Sequence, residues 1–219
     1  MLNASAKFCG AVAVSAYEPY SFLSETIRKF RNYEIRTNVH FVLDAQSSET
    51  ALSWLLDPPD FMKEVNAIIF LNYKPVGRGA RGDRLLSHYS KLTELMRVAT
   101  TGGQNFKVGF DSCMVSGLVE NENINPVWYD SCEAARFTMF VSEDMKAYPC
   151  SFMESLHTGI PLTNANLLEI WQNGLSFRET RESLKTPKCR GCSLQHVCRG
   201  GCPILPKINL CKKRDSSEI

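Results

Sequence analysis

The chain has 219 residues and a formal net charge of +2, with 25 Lys and Arg against 23 Asp and Glu. That length buries a core in one or two domains without staples. The balanced charge, free of long runs of one sign, excludes the usual basic binders of nucleic acid and acidic membranes. No apolar run approaches the length of a membrane span, and Met1-Leu2-Asn3-Ala4 does not open like a signal peptide. Nine cysteines, an odd number, then fit a reducing compartment, with the cytoplasm as the expected location.

Residues 8–16 are small and apolar and predict a buried parallel strand. After Pro19, Phe22, Leu23, Ile27 and Phe30 recur at helical spacing to about residue 31. Residues 35–43, rich in β-branched side chains, predict a second strand. Ser47 or Ser48 is the expected cap of the next helix, whose apolar face is Ala51, Leu52, Leu55 and Leu56 and whose end is Pro58-Pro59. Residues 67–73 predict a third strand, broken into a loop at residues 75–79. Leu85, Tyr89, Leu92, Met96 and Ala99 mark a third helix, stopped at Thr101-Gly102-Gly103. Residues 107–111 predict a fourth strand, with Cys113 just beyond it. Strands alternating with helices over short connections imply an α/β fold of about three βα units on a parallel sheet.

The last third of the chain reads differently. Cys189-x2-Cys192-x5-Cys198-x3-Cys202-Pro203 packs four cysteines into fourteen residues, with Cys132 and Cys150 before them and Cys211 after. Thiolates at such spacing are soft ligands for zinc or iron–sulfur clusters. A zinc ribbon sets its second pair a dozen or more residues from its first, and five residues between Cys192 and Cys198 is short for that. An odd number of cysteines also argues against a disulfide scaffold.

These residues resemble the SPASM domain of radical S-adenosylmethionine enzymes of the sulfatase-maturase or peptide-modifying type. Cys189, Cys192, Cys198, Cys202 and Cys211 match its second half. Cys132 and Cys150, flanking a β-hairpin, match its first half, and the linker through Leu167, Leu168, Ile170, Trp171, Phe177, Pro187 and Lys188 fits as well. One departure is Met145, where the family usually has glycine, so the hairpin turn at Asp144–Lys146 must reach a positive φ with ordinary residues.

The resemblance implies two 4Fe-4S clusters. It assigns Cys132, Cys150 and Cys202 to auxiliary cluster I and Cys189, Cys192, Cys198 and Cys211 to auxiliary cluster II. Eight ligands are needed for two fully ligated cubanes, and Cys113 is the candidate eighth, on cluster I. Arg199-Gly200-Gly201 would bring backbone close to sulfur. The same resemblance makes residues 1–106 the C-terminal half of a radical S-adenosylmethionine barrel and residues 107–219 the cluster domain. Strands around Val12–Ser15, 37–40 and 73–78 then match the fourth, fifth and sixth of that barrel.

The loop that binds the S-adenosylmethionine-cleaving cluster in that family, Cys-x3-Cys-x2-Cys, does not occur in these residues, nor does a Gly-Gly-Glu-Pro-like segment. Alone, the chain is therefore not expected to cleave S-adenosylmethionine, and a polypeptide carrying the missing barrel strands is an expected partner. Its first strand would leave an open sheet edge that such a partner covers. Ser15 and Asn38 are the candidate contacts to S-adenosylmethionine. The plainer alternatives are a strand-end hydroxyl satisfying its own loop and a buried polar pair of Asn38 with His40. Lys74, Arg78 and Arg81, after the third strand, are candidates for a substrate carboxylate or a solvated loop. Cys9 reads as a small core residue. The expected substrate is a peptide or protein; no catalytic residue is legible. A non-enzymatic iron–sulfur or zinc protein that holds a partner is the alternative.

Overall fold

Four apolar stretches pair into one parallel sheet in the computed structural model, which describes residues 2–78, 80–120, 124–125, 127, 129–162, 166–186, 189 and 191–211. The strands β1 (Val12–Ser15), β2 (Thr37–Leu43), β3 (Ala67–Asn72) and β4 (Lys107–Phe110) lie in sequence order. Every pairing is parallel. Parallel neighbours need a crossover, supplied here by α2 (Ser21–Arg31), α3 (Ser48–Leu56) and α4 (Leu92–Thr101). This is the α/β architecture of about three βα units that the alternation implies. Gly79 of the expected loop and Pro187 and Lys188 of the linker lie outside the described residues.

β2 sets the two faces of the sheet. Thr37, Val39, Phe41 and Leu43 are buried, and Phe41 meets Trp54 of α3 and Phe70 of β3 edge-on, at 5.2 and 6.1 Å between ring centres. Asn38, His40 and Val42 lie on the opposite, half-buried face. Register pairs Ala13 with Asn38 and Ser15 with His40, so the exposed Ser15 shares that face. The Asn38 side-chain oxygen accepts a bond from the Asn66 amide at 2.8 Å. Asn38 and His40 are thus half-exposed, and Asn38 finds its partner in Asn66 instead of in His40.

Three local expectations are corrected. First, residues 8–16 are not all strand: α1 (Leu2–Phe8) precedes β1. Leu2, Ala4, Ala6 and Lys7 are strong helix formers, and Gly10 interrupts them. Cys9 follows that helix exposed, not in the core. Second, neither Ser47 nor Ser48 caps α3 with its side chain. Asp44 instead orders the turn that leads into α3: its Oδ1 accepts from the Gln46 and Ser47 amides, both at 2.8 Å. The Ser47 hydroxyl instead donates to the Val42 carbonyl. In α3 Trp54 is buried while Leu56 is exposed, and in α2 Leu23 and Ile27 face the core while Phe22 does not.

Third, Leu85 and Tyr89 precede α4 in a chain of short 3-10 turns, Gly82–Arg84 and Leu86–His88. Tertiary bonds hold these turns against α3. Arg84 pairs with the buried Asp44 and the Ala45 amide donates to the Arg84 carbonyl. Tyr89 and Lys91 both donate to Glu49, each at 2.8 Å. A continuous helix would forfeit these ties.

The sheet and its helices, up to Tyr73 and then Asp83–Asp111, form one compact unit. Lys74–Gly82 and the chain from Ser112 onward form a second. The second unit carries α5 (Val115–Leu118), the antiparallel strands β5 (Phe140–Val141), β6 (Lys146–Tyr148) and β7 (Ile160–Pro161), and the helices α6 (Leu167–Asn173), α7 (Leu175–Lys185) and α8 (Gln195–Cys198). Ala135, Ala147, Ile170 and Phe177 make its hydrophobic centre. Among the described residues no helix is long and apolar enough to cross a membrane.

Candidate metal centres

The hairpin between Cys132 and Cys150 is built as the sequence implies. β5 and β6 pair antiparallel, and the turn between them places Met145 at φ +58°. Met145 thus occupies the left-handed region that glycine would fill without strain. The turn is closed by the Ser142 amide donating to the Lys146 carbonyl at 2.9 Å and the Met145 amide to the Ser142 carbonyl at 3.1 Å.

β6 then delivers Cys150 beside Cys132. Both pack with Ala134, Leu184 of α7 and Ile204, two residues past Cys202. Arg181 of α7 fixes the turn after Cys132 by donating to the Ala135 carbonyl at 3.1 Å. The Cys132 thiol is pushed up to about 12, first by burial and then by the nearby Cys202 and Cys150 sulfurs, against the pull of the Ala134 amide and the Arg136 cation. Burial also raises Cys150 and Cys202, and Cys202 senses Cys150 in turn. Cys132, Cys150 and Cys202 therefore form one electrostatically linked group.

A second group forms around Cys198, at the end of α8. Its thiol is pushed up to about 11 by burial, and it senses the sulfurs of Cys211 and Cys189. Cys192, half-buried, lines an open groove with Leu184, Lys185, Ser193, Gln195, His196 and Arg199. None of the nine cysteines is in a disulfide.

Each buried sulfur also receives backbone amides. Gly200 and Gly201 donate to Cys198, Leu205 and Ile204 to Cys202, Phe152 to Cys150 and Ala134 to Cys132. The Leu205 amide lies 3.3 Å from the Cys202 sulfur. Such bonds favour thiolate, while burial opposes it. A buried thiolate group of this kind is stable when a bound cation carries the opposing charge, as metal coordination does. The donor set therefore fits soft metal ligation.

The segment linking the two groups is held by Asn209, which the sequence did not single out. Arg199, Gly200 and Gly201 all adopt positive φ, at +52°, +81° and +73°. The Asn209 side-chain oxygen accepts from the Cys202 amide at 2.7 Å. Its amide nitrogen donates to the Gly200 and Cys202 carbonyls at 3.4 and 3.3 Å. A Cβ on Gly201 would lie 2.2 Å from that oxygen. Cys113 sits half-buried in the turn Ser112–Met114. α5 follows directly, and the buried Ser116 hydroxyl accepts from the Leu210 amide at 2.8 Å. That bond brings the turn bearing Cys113 toward the chain bearing Cys211.

A half-barrel of parallel βα units followed in sequence by a cysteine-rich hairpin domain is the class of protein this fold defines. In sequence the chain is similar to the mycofactocin maturase MftC of Mycobacterium tuberculosis, 32% identical over 73 residues that make up 32% of this chain and 19% of the maturase. In fold it is similar to Streptococcus suis SuiB. The S-adenosylmethionine-bound crystal structure matches with a TM-score of 0.61 at 20% identity, over 88% of this chain and 49% of SuiB. The structure of SuiB bound to precursor peptide SuiA matches with a TM-score of 0.63 at 18% identity, over 89% and 49%. No protein-family model matches. The chain thus spans about half the length of SuiB, and the resemblance to part of a radical S-adenosylmethionine enzyme is borne out.

Proposed function

We propose that these residues are the auxiliary-cluster half of a radical S-adenosylmethionine enzyme that modifies a peptide or protein. In this reading residues 1–106 supply half of the barrel and residues 107–219 the cluster domain. One observation carries it most: the thiols link electrostatically as Cys132 with Cys150 and Cys202, and as Cys198 with Cys189 and Cys211. Each group is part of one of the ligand sets that the family resemblance implies, which add Cys192 to the second and Cys113 as a candidate to the first, although Cys198 and Cys202 are only four residues apart.

Cys132, Cys150 and Cys202 would hold one 4Fe-4S cluster, with Cys113 as the candidate fourth thiolate; Cys189, Cys192, Cys198 and Cys211 would hold the other. Among the described residues no three His, Cys, Asp or Glu side chains converge tightly enough for a single ion. Zinc gathers its ligands to about 2.3 Å from one point, whereas a cubane takes each thiolate on a separate iron. Such clusters supply one-electron relay or a binding site for substrate. The protein keeps their thiolates dry and amide-bonded, in a reducing compartment such as the cytoplasm.

SuiB's structure with a precursor peptide supports a peptide substrate here. Ser15 and Asn38, which share one face of the sheet, would be the nucleoside contacts, as the family resemblance implies. These residues contain no Cys-x3-Cys-x2-Cys, and cleavage depends on holding the sulfonium at such a cluster. Reconstituted and reduced alone, the chain should release no 5′-deoxyadenosine from S-adenosylmethionine above a free-cluster background. Turnover should require a polypeptide carrying that motif. Release by the chain alone, abolished by replacing its cysteines, would contradict the proposal.

A further inference from the structure

The near-neutral charge of the whole chain hides a segregation. From Lys185 to Arg214 the sequence holds eight Lys and Arg and no Asp or Glu, which leaves 17 against 23 in the rest of the chain. Two open grooves meet at the start of that stretch, along α7. The first, of about 430 Å³, is lined by the buried Leu184, the cations Lys185 and Arg199, and Cys192, a candidate cluster ligand. The second, of about 470 Å³, shares Lys185 and reaches back to Leu175, exposed at the start of α7. Glu179 and Glu182 line the second groove beside Arg178, so its charge is mixed. Arg181 is committed to the Ala135 and Gln172 carbonyls, at 3.1 and 3.0 Å. Lys185 lies 3.9 Å from Glu182 with both side chains exposed. A pair so open to water is worth little, and a ligand can recruit the ammonium from it.

We propose that the two grooves form one docking track for an extended acidic segment of the peptide substrate, with an apolar side chain against Leu175 and a pair of carboxylates over Lys185 and Arg199. The inference rests on the peptide-modifying reading above for assigning that segment to the substrate. Ten residues of helix separate Leu175 from Lys185, about 15 Å of rise. An extended peptide covers that in about four or five residues. The segment should therefore carry its acidic residues four or five positions from an apolar one. Carboxylates there would accept charge-assisted hydrogen bonds from the ammonium and the guanidinium. The positive stretch around them would draw an acidic segment in from a distance. Because Cys192 lines the same groove, the docked segment would lie against a candidate cluster ligand.

The test is fluorescence anisotropy of labelled peptides with the full chain reconstituted anaerobically. The probes are Leu-Gly-Ser-Gly-Glu-Glu, its reverse Glu-Glu-Gly-Ser-Gly-Leu, and the versions of each with Gln or Lys in place of Glu. One of the two Glu peptides should bind, and its Gln version should bind more weakly by on the order of tenfold. Lys185→Gln and Leu175→Gln should each weaken the Glu peptide, and Lys185→Glu should lose it and gain the Lys peptide. The Lys185 side chain is 68% exposed, so these exchanges leave the fold in place. Equal binding of the Glu and Gln peptides, or Glu-peptide binding untouched by Lys185→Glu, overturns the inference. So does a single-stranded oligodeoxynucleotide that binds more tightly and displaces the Glu peptide, which would make this a nucleic-acid surface. A chain that takes up no iron yet binds the Glu peptide through Lys185 keeps the track and overturns the enzyme reading instead.

Discussion

Gly201→Ala is expected to strip iron from both thiol groups at once. Gly201 sits at φ +73°, where a side chain costs about 1–2 kcal/mol. A Cβ there would lie 2.2 Å from the Asn209 oxygen and 2.7 Å from the carbon bearing it. Asn209 cannot simply swing aside, because it accepts from the Cys202 amide and donates to two carbonyls. Moving it leaves the Cys202 amide without that bond in a buried place, a further cost of about 1–3 kcal/mol. The strain falls between Cys198 and Cys202, one ligand from each group. Iron uptake by Gly201→Ala should therefore drop well below half of wild type, whereas loss of a single ligand should cost about half. The two substitutions share one contact, so Gly201→Ala with Asn209→Ala should be worse than Asn209→Ala alone only by the left-handed backbone cost. Full iron in Gly201→Ala would show that the close approach is dispensable.

The second large effect lies in the sheet unit. Asp44→Ala should destabilise it by about 3 kcal/mol, since removing one partner of a buried pair leaves the other uncompensated. The Asp44 side chain is 3% exposed and pairs with Arg84, which is 34% exposed and so keeps some access to water. That access holds the cost at the lower end of the range. The same carboxylate accepts the Gln46 and Ser47 amides of the turn that leads into α3, whose loss adds about 1 kcal/mol. Chemical denaturation followed by tryptophan fluorescence reports on this directly, because Trp54 lies in α3 against Phe41. A midpoint unchanged from wild type would show that neither the pair nor the turn matters.

The same residues show how far sequence reasoning reaches. The βα alternation was legible because each strand is a short apolar run between turn residues, as at 67–72. The expected thiol grouping came from the family resemblance that the cysteine spacing carries, not from the spacing by itself. The strained turn at Met145 was legible from the absence of a glycine. What escaped the sequence depends on partners far along the chain. The turns at 82–88 look helical by periodicity until Asp44 and Glu49 pull them onto α3. Asn209 carries no motif, and only the fold brings its side chain to the backbone of Gly200 and Cys202. Lys74 read as one of several loop cations, and its place beside Phe152 needs the second unit to be folded.

The central claim is that two separate groups of thiols each hold a 4Fe-4S cluster. Its most direct measurement is the iron and sulfide content, with the Mössbauer spectrum, of the full chain reconstituted anaerobically. The wild type should carry about eight iron, two cubanes' worth. Cys150→Ser and Cys198→Ser should each remove about half of it, and the two spectra they leave should together account for the wild-type spectrum. A colourless protein holding one or two zinc ions, or a single cysteine substitution that leaves all the iron in place, would contradict the account.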